Sequence, residues 1–139
     1  TKNIDRLAPH AARMGANFVL QMYNVFGAGQ YALWLDTMYE RYPNWNQRTF
    51  AIPLEWPSAF DIGHLTSEHR KNLVEELNTI EQKVRNPNTL KFISQCKTWI
   101  INRDMPSNVP QSFQQLTEAM DKQRSTKLIE LDSRFKEYL

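Results

Sequence analysis

The chain has 139 residues, a length that predicts one domain with a modest hydrophobic core. Apolar residues make up 41% of the sequence and aromatic residues 12%, which excludes a disordered tail and favours a packed globule. The 17 Lys and Arg residues outnumber the 15 Asp and Glu residues by only two and form no basic run, so neither a nucleic-acid nor a membrane partner is expected.

The first predicted elements are a helix and a strand. A helix is predicted over residues 4–14, and Gly15 is placed to end it. Residues 17–25, NFVLQMYNV, form an almost continuous apolar run with β-branched and aromatic members. Such a run is typical of a strand that is buried on both faces, as in a parallel sheet.

A second helix and a second strand follow. Aromatic and aliphatic residues from Tyr31 to Tyr42 recur at helical spacing, and Pro43 ends the pattern. This stripe is expected to be core or sheet-packing surface. A strand is predicted over residues 49–54, where Pro53 marks its end or a sheet edge. Strand, helix and strand together predict one right-handed βαβ crossover with parallel strands.

The rest of the chain is predicted to be helical. Thr66 or Ser67 caps a helix that stops at Asn86-Pro87, and Pro87 suits the first turn of the next helix. A further helix is predicted to begin at Asn108 and Pro110, and residues 125–139 hold one or two short helices. The predicted fold class is therefore α/β and mostly helical. It is a single domain, 1–139, with a βαβ portion (1–57) before a helical portion (58–139) of four or five helices.

Cys96 is the only cysteine, which excludes an internal disulfide, a thiolate zinc site and an iron–sulfur site held by this chain alone. Its helical position between Ile93 and Ile100 predicts a small buried hydrophobe rather than a reactive thiol. The apolar runs are too short to span a bilayer and the N-terminus lacks a signal-peptide pattern, so a cytoplasmic protein is expected.

Gly27-Ala28-Gly29 with Ala32 formally matches the dinucleotide fingerprint G-x-G-x-x-G/A between a strand and a helix. Small residues there let a backbone approach a pyrophosphate at a helix N-terminus, and Glu55 lies about where a ribose-binding acid would be. A plain tight turn is the favoured explanation of the same residues, because the chain completes no further βαβ unit.

Polar and aromatic residues are predicted to meet at one edge of the sheet. Glu55 and Trp56 follow the second strand, and Tyr23, Asn24 and Gln30 reach the same edge from the first strand. Ligands bind at the carboxyl ends of parallel strands, which makes this edge the candidate binding site, although structural packing also explains these residues.

Histidine and acidic residues indicate no catalytic or metal site. His64 and His69 are five residues apart, which does not place them on one helical face, and His10 interrupts a polar face. All three histidines are expected at the surface. The sequence assigns no catalytic residue and no metal ligand.

Two segments carry a family resemblance. Pro57, then Leu65-Thr66, then Lys71 is similar to the passage after a late barrel strand in radical-SAM enzymes with a twitch or SPASM-like C-terminal region. The tail, MDKQRSTKLIELDSRFKEYL, has an Asp and an Arg three apart before an apolar helix and resembles the end of the same proteins. The NFVLQMYNVF segment and its helix would be the preceding barrel strand and crossover.

The resemblance implies a partial (β/α) barrel whose carboxyl strand edges face S-adenosylmethionine and substrate. The chain departs from the family pattern because CxxxCxxC is absent and Thr66 stands in place of the usual Pro. No cluster ligand is therefore carried over, and S-adenosylmethionine is implied by the resemblance only. Two strands also do not complete a parallel sheet, so either an N-terminal barrel half or a second copy is expected to supply the rest.

The resulting functional expectation is the substrate-side and capping part of a radical-SAM-like protein, of phage-related or metagenomic origin, without independent catalysis. One alternative is a small interaction module that forms a homo-oligomer through strand edges and an aromatic surface. The other is a nucleotide-binding domain that uses Gly27 and Gly29.

Overall fold

The computed structural model describes residues 2–106, 113–124 and 126–139. It confirms the predicted class, because the chain is α/β and 64% helical with one two-stranded parallel sheet. The elements are α1 (Lys2–Leu7), β1 (Phe18–Leu20), α2 (Ala28–Arg41), β2 (Ala51–Pro53), α3 (Ser67–Glu81), α4 (Pro87–Asn102), α5 (Phe113–Gln123) and α6 (Leu128–Leu131). Short 3-10 segments cover Ala8–His10, Val25–Gly27, Ser58–Phe60, Ile62–His64 and Ser133–Tyr138.

The sheet pairs β1 with β2 in parallel, and α2 is the connection between them. Phe18 lies opposite Ala51 in the ladder, and Val19 lies opposite Ile52. One face of the sheet packs on α2 and α4, since the Phe18 ring centroid is 4.7 Å from that of Tyr31 and contacts Phe92 edge-on. The predicted βαβ crossover with parallel strands is confirmed.

The first strand is shorter and less buried than predicted. It ends at Leu20, because the N–H groups of Asn24 and Val25 both donate to the Gln21 carbonyl at 3.0 and 2.9 Å and turn the chain. The prediction that this strand is buried on both faces is wrong, since 44% of Val19 is exposed. Within the described residues, helices cover only one face of the sheet, so alternate residues of the strand remain in contact with solvent.

The first helix is also shorter than predicted. It ends at Leu7 and continues only as a 3-10 turn to His10, instead of running to residue 14. Pro9 explains the difference, because it has no N–H to donate to the carbonyl four residues earlier and its ring crowds that carbonyl.

The two long helices after the sheet begin where their caps predict. The Thr66 hydroxyl accepts a hydrogen bond from the His69 N–H at 3.2 Å, which starts α3. The Asn86 side chain accepts one from the Asn88 N–H at 2.9 Å, and Pro87 occupies the first position of α4. The predicted start at Asn108 and Pro110 lies outside the described residues.

One hydrophobic core joins both portions of the chain. Helices α2, α3 and α4 surround it, and the tail closes it with Phe135 against Phe26 and Phe113. Cys96 is fully buried in this core, as predicted. In the part of the chain that the structure describes, no helix is long and apolar enough to cross a bilayer.

Arg70 joins α3 to the end of α4 and to the segment before α3. Its guanidinium donates to the carbonyls of Leu65 (3.1 Å), Gly63 (3.0 Å), Arg103 (2.7 Å) and Ile100. The last two belong to the C-terminal end of α4, where helical carbonyls lack intrahelical partners. One side chain therefore satisfies backbone acceptors from two segments.

We expect Arg70→Met to lower the free energy of unfolding by about 2 kcal/mol or more, because each partly buried carbonyl left without a donor costs about 1–3 kcal/mol. Lys71→Met is the matched control, since Lys71 is exposed and only approaches Glu75 at 4.0 Å. Its effect should stay within about 0.5 kcal/mol. Urea unfolding followed by circular dichroism measures both, and equal effects would contradict the assigned role of Arg70.

Candidate functional site

Tyr23, a predicted ligand-binding residue, connects the end of the sheet to α5. Its hydroxyl is 2.9 Å from the Thr117 hydroxyl oxygen, and its ring centroid lies 5.0 Å from that of Phe60 and 5.2 Å from that of Phe113. Burial raises the pKa of the Tyr23 phenol above its ordinary value, and the hydrogen bond to Thr117 opposes this rise. The structure thus gives Tyr23 a packing role between the two portions.

Asn24 covers the free edge of β1. Its side-chain N–H group donates to the Val19 carbonyl at 2.8 Å, and its Oδ1 accepts from the Gln21 N–H at 3.1 Å. Both hydrogen bonds are local and hold the turn that ends β1. The Asn24 amide is therefore committed to the fold at the edge where a ligand contact was predicted.

The Gly27–Gly29 segment begins α2. Gly27 is exposed at the N-cap with φ −93°, and Gly29 is buried in the first turn. A Cβ on Gly29 would lie 2.4 Å from Ile80 Cδ1 and 2.8 Å from a Glu76 carboxylate oxygen, so this glycine lets α2 approach α3 closely. The side of Gly29 that lacks a Cβ therefore faces the Glu76 carboxylate, whose negative charge would repel a pyrophosphate. Gln30 is exposed beside it.

Glu55 and Trp56 lie exposed at the carboxyl end of β2. Glu55 has an exposed side-chain fraction of 74% and approaches the Arg103 guanidinium at 3.3 Å. Glu55 lines a shallow cavity of about 460 Å³ together with Trp99 and Arg103. Among the described contacts, neither Tyr23 nor Asn24 touches Glu55 or Trp56. The Tyr23 side chain is hydrogen-bonded to Thr117, and the Asn24 side chain to Val19.

The Asp61–Arg103 ion pair beside this cavity was not predicted from the sequence. Asp61 is almost fully buried and accepts from Arg103 Nη2 at 2.6 Å, from Arg103 Nε at 3.0 Å and from the Gly63 N–H at 2.8 Å. The hydrogen bonds that Arg103 donates to Asp61 raise the pKa of its guanidinium above the ordinary value. The partners are 42 residues apart, so no local sequence signal indicates the pair.

The most unusual surface is the face of the sheet that none of the described helices covers. We call it the open face and define it by Val19, Phe50 and Ile52. Val19 and Ile52 are paired across the strands with exposed fractions of 44% and 48%. Phe50 precedes β2 by one residue and is also exposed. Contiguous exposed apolar side chains of this size mark interaction surfaces.

The outer edge of β2 is covered although the open face is not. The Ala51 N–H donates to Gln95 Oε1 at 3.1 Å, and Trp99 Nε1 donates to the Ala51 carbonyl at 3.2 Å. Pro53 has no N–H to offer. Together with Asn24 on β1, these side chains occupy backbone groups that would otherwise pair with another strand.

A second cavity, of about 590 Å³, lies at the amino ends of the strands. We call it the amino-end cavity; it is lined by Arg13, Asn17, Asn46, Gln47, Arg48 and Phe50. The Arg48 guanidinium lies 5.0 Å from the Phe50 ring centroid. Among the described residues, neither Arg13 nor Arg48 has a carboxylate within 4.0 Å. The cavity is therefore cationic and has no internal counter-charge.

His69 corrects the prediction that all three histidines lie at the surface. It is only 7% exposed, its Nδ1 is 2.7 Å from the Tyr138 hydroxyl, and its ring packs edge-on against Phe26. The C-terminal segment folds back over the start of α3 and covers the ring, which the spacing of histidines alone does not indicate. Within the described residues, no group of three or more His, Cys, Asp or Glu is arranged to hold a metal ion.

Comparisons of the chain with known proteins found no match. No model of a known protein family matches the chain, and neither a curated protein nor a solved structure matches it. The resemblance to radical-SAM proteins therefore stays a prediction.

We expect the Cys96 thiol to be inert in the folded protein, because burial raises its pKa from 9.0 to about 12. An aromatic disulfide reagent at pH 8 should react with it only after urea is added. The raised pKa also means that this residue's contribution to stability is complete below pH 9 and is lost as pH rises towards 12. Rapid stoichiometric labelling of the native chain would contradict the expectation.

Proposed function

We propose that this chain is a non-catalytic interaction module that associates with a second copy of itself through the open face. The observation that carries the proposal is the paired exposure of Val19 and Ile52 on a parallel sheet. Parallel sheets are ordinarily covered on both faces, because each strand exposes apolar side chains on both sides. A partner that covers the open face removes this apolar area from water.

Association through the face fits the structure better than association through strand edges. Asn24, Gln95 and Trp99 already hydrogen-bond to the outward backbone groups of Val19 and Ala51. A further strand would have to displace these side chains before it could pair. The open face presents no such competition, and its aromatic residue, Phe50, is of a type enriched in interfaces.

The apolar character of the open face favours a second copy as the partner. Val19 and Ile52 lie side by side across the two strands and are both exposed. The same patch on another copy packs against them without burying a charge. A surface that matches itself in this way meets the requirement for a two-fold symmetric interface.

The polar groups of the chain support a non-catalytic role. The buried Asp61 is bonded to Arg103 and the buried His69 to Tyr138, so both of these side chains hold the fold together. We further propose that the module works in the cytoplasm, because its only thiol is buried in the core rather than paired in a disulfide.

A second candidate is the sheet-completing and capping part of a radical-SAM-like protein. The observation that favours it is the same one-sided sheet: helices on one face and apolar residues on the other are the arrangement of strands in a (β/α) barrel. The cavity beside Glu55 would then lie on the ligand side of the barrel. The barrel and its cluster ligands would come from elsewhere.

We expect Ile52→Asp to dissociate the dimer, because a charge placed at the centre of the interface would be buried without a partner. The loss should be about 2 kcal/mol or more, roughly a 30-fold rise in Kd. Ile101→Asp on α4 is the matched control, since Ile101 is comparably exposed outside the open face and should leave Kd unchanged. Light scattering after size exclusion measures the mass across protein concentrations. A wild-type chain that remains monomeric at high micromolar concentration would refute the proposal.

Ligand addition separates the two candidates. The interaction module should show no change in melting temperature with S-adenosylmethionine, ATP or NAD, because only a ligand that binds the folded state stabilises it. A rise with S-adenosylmethionine alone, lost in Glu55→Gln, would favour the radical-SAM-like role instead. A rise with ATP or NAD would revive the Gly27–Gly29 hypothesis.

A further inference from the structure

We infer that the amino-end cavity is a binding site for a small phosphate-bearing anion, held by Arg13 and Arg48. The inference goes beyond the proposed function and does not depend on a second copy, because the residues that line the cavity all belong to one chain. The cavity volume of about 590 Å³ falls in the range of small-molecule sites. The ligand class is inorganic phosphate or a phosphomonoester of a small organic molecule.

A comparison of two cavities in this chain shows why the amino-end cavity attracts an anion. The other cavity has a similar volume, about 560 Å³, and also has two basic residues in its wall, Lys83 and Arg85. The side chains of Asp36 and Glu40 line that cavity too, so its charges balance. Among the described residues, no Asp or Glu lines the amino-end cavity, and its two guanidinium charges are not compensated there. A bound anion would supply the counter-charge.

Amide donors accompany the two guanidinium groups in the cavity wall. The Asn17 Oδ1 accepts from the Phe50 N–H at 3.3 Å, which leaves the NH2 group of the same side chain as a donor. Asn46 and Gln47 add two more side-chain amides, each with an NH2 group. A phosphate group presents several strong acceptor oxygens, and the planar fork of a guanidinium can donate to two of them at once. The donors of this cavity therefore fit a phosphate.

The backbone that carries these side chains is fixed by contacts between two loops and α2. The Met14 N–H donates to the Asn44 carbonyl at 2.7 Å, and the Gln47 N–H donates to the Met14 carbonyl at 3.2 Å. The Tyr39 hydroxyl of α2 donates to the Gln47 carbonyl at 2.7 Å. A Cβ on Gly15 would lie 2.7 Å from Gln47 Cβ, so this glycine lets the loops approach closely. Backbone order of this kind lowers the entropic cost of binding a ligand.

The two arginines are available to a ligand. The Arg48 guanidinium lies 5.0 Å from the Phe50 ring centroid, a cation–π contact that positions it at the cavity without neutralising its charge. Among the described residues, neither Arg13 nor Arg48 has a carboxylate partner, so neither has to break an ion pair to bind an anion. Phe50 also lines the cavity, where its ring offers an apolar surface to the organic part of a phosphomonoester.

The test is a titration of the full chain with inorganic phosphate and with phenyl phosphate, followed by NMR of the backbone amides. We expect saturable shifts in residues 13–17 and 46–50, and a Kd that rises about tenfold or more in the double variant Arg13→Gln/Arg48→Gln. Arg85→Gln is the matched control, since Arg85 lines the charge-balanced cavity, and it should leave Kd unchanged. Sodium chloride at the same ionic strength should not reproduce the shifts.

The two ligands distinguish the sources of the phosphate. Tighter binding of phenyl phosphate identifies a phosphomonoester, because only that ligand can pack on the Phe50 ring, and equal Kd values identify the free ion. The inference is overturned if neither compound gives saturable shifts, or if the double variant binds both as well as the wild type does. Persistent binding of that kind would place the anion elsewhere, for example at the Gly27–Gly29 segment. Arg13 and Arg48 are exposed, and circular dichroism checks that their variants keep the fold.

Discussion

The structure depends on how a parallel sheet of only two strands is kept from water. Each face of such a sheet needs a covering layer, and each edge needs its hydrogen-bonding groups satisfied. Helices α2 and α4 cover the face that carries Phe18 and Ala51, and side chains from α4 and from the turn after β1 bond to the edges. The open face is what this arrangement leaves exposed, and the proposed dimer is a way to cover it.

Polar and charged side chains hold the segments of the helical portion together. Arg70 donates to carbonyls at the end of α4 and in the segment before α3, and Arg103 at the end of α4 pairs with Asp61. The Tyr138 hydroxyl meets His69 and closes the tail over α3. Because these groups satisfy one another inside the fold, they act as structural connections. The exposed Glu55 and the uncompensated Arg13 and Arg48 are the charged groups that the fold leaves available near the sheet.

Local signals predicted the long elements well and the short ones poorly. Thr66 and Asn86-Pro87 mark the starts of α3 and α4, because a cap acts within three residues of itself. The strand was predicted too long, since an apolar run does not show where a turn such as that after Leu20 begins. Of the candidate site, the sequence placed Glu55 and Trp56 correctly at the carboxyl end of β2. It did not indicate the open face or the amino-end cavity.

The sequence by itself determined the starts of α3 and α4, the parallel crossover and the burial of Cys96, because each follows from residues close together in the chain. Only the tertiary structure decided that Gly29 serves the approach of α2 to α3, that His69 is buried and that Asp61 pairs with Arg103. It also decided that the helices described in the structure leave one face of the sheet exposed. Those outcomes depend on segments brought together from distant positions, and alternation along a strand does not reveal whether a second layer lies over its other face.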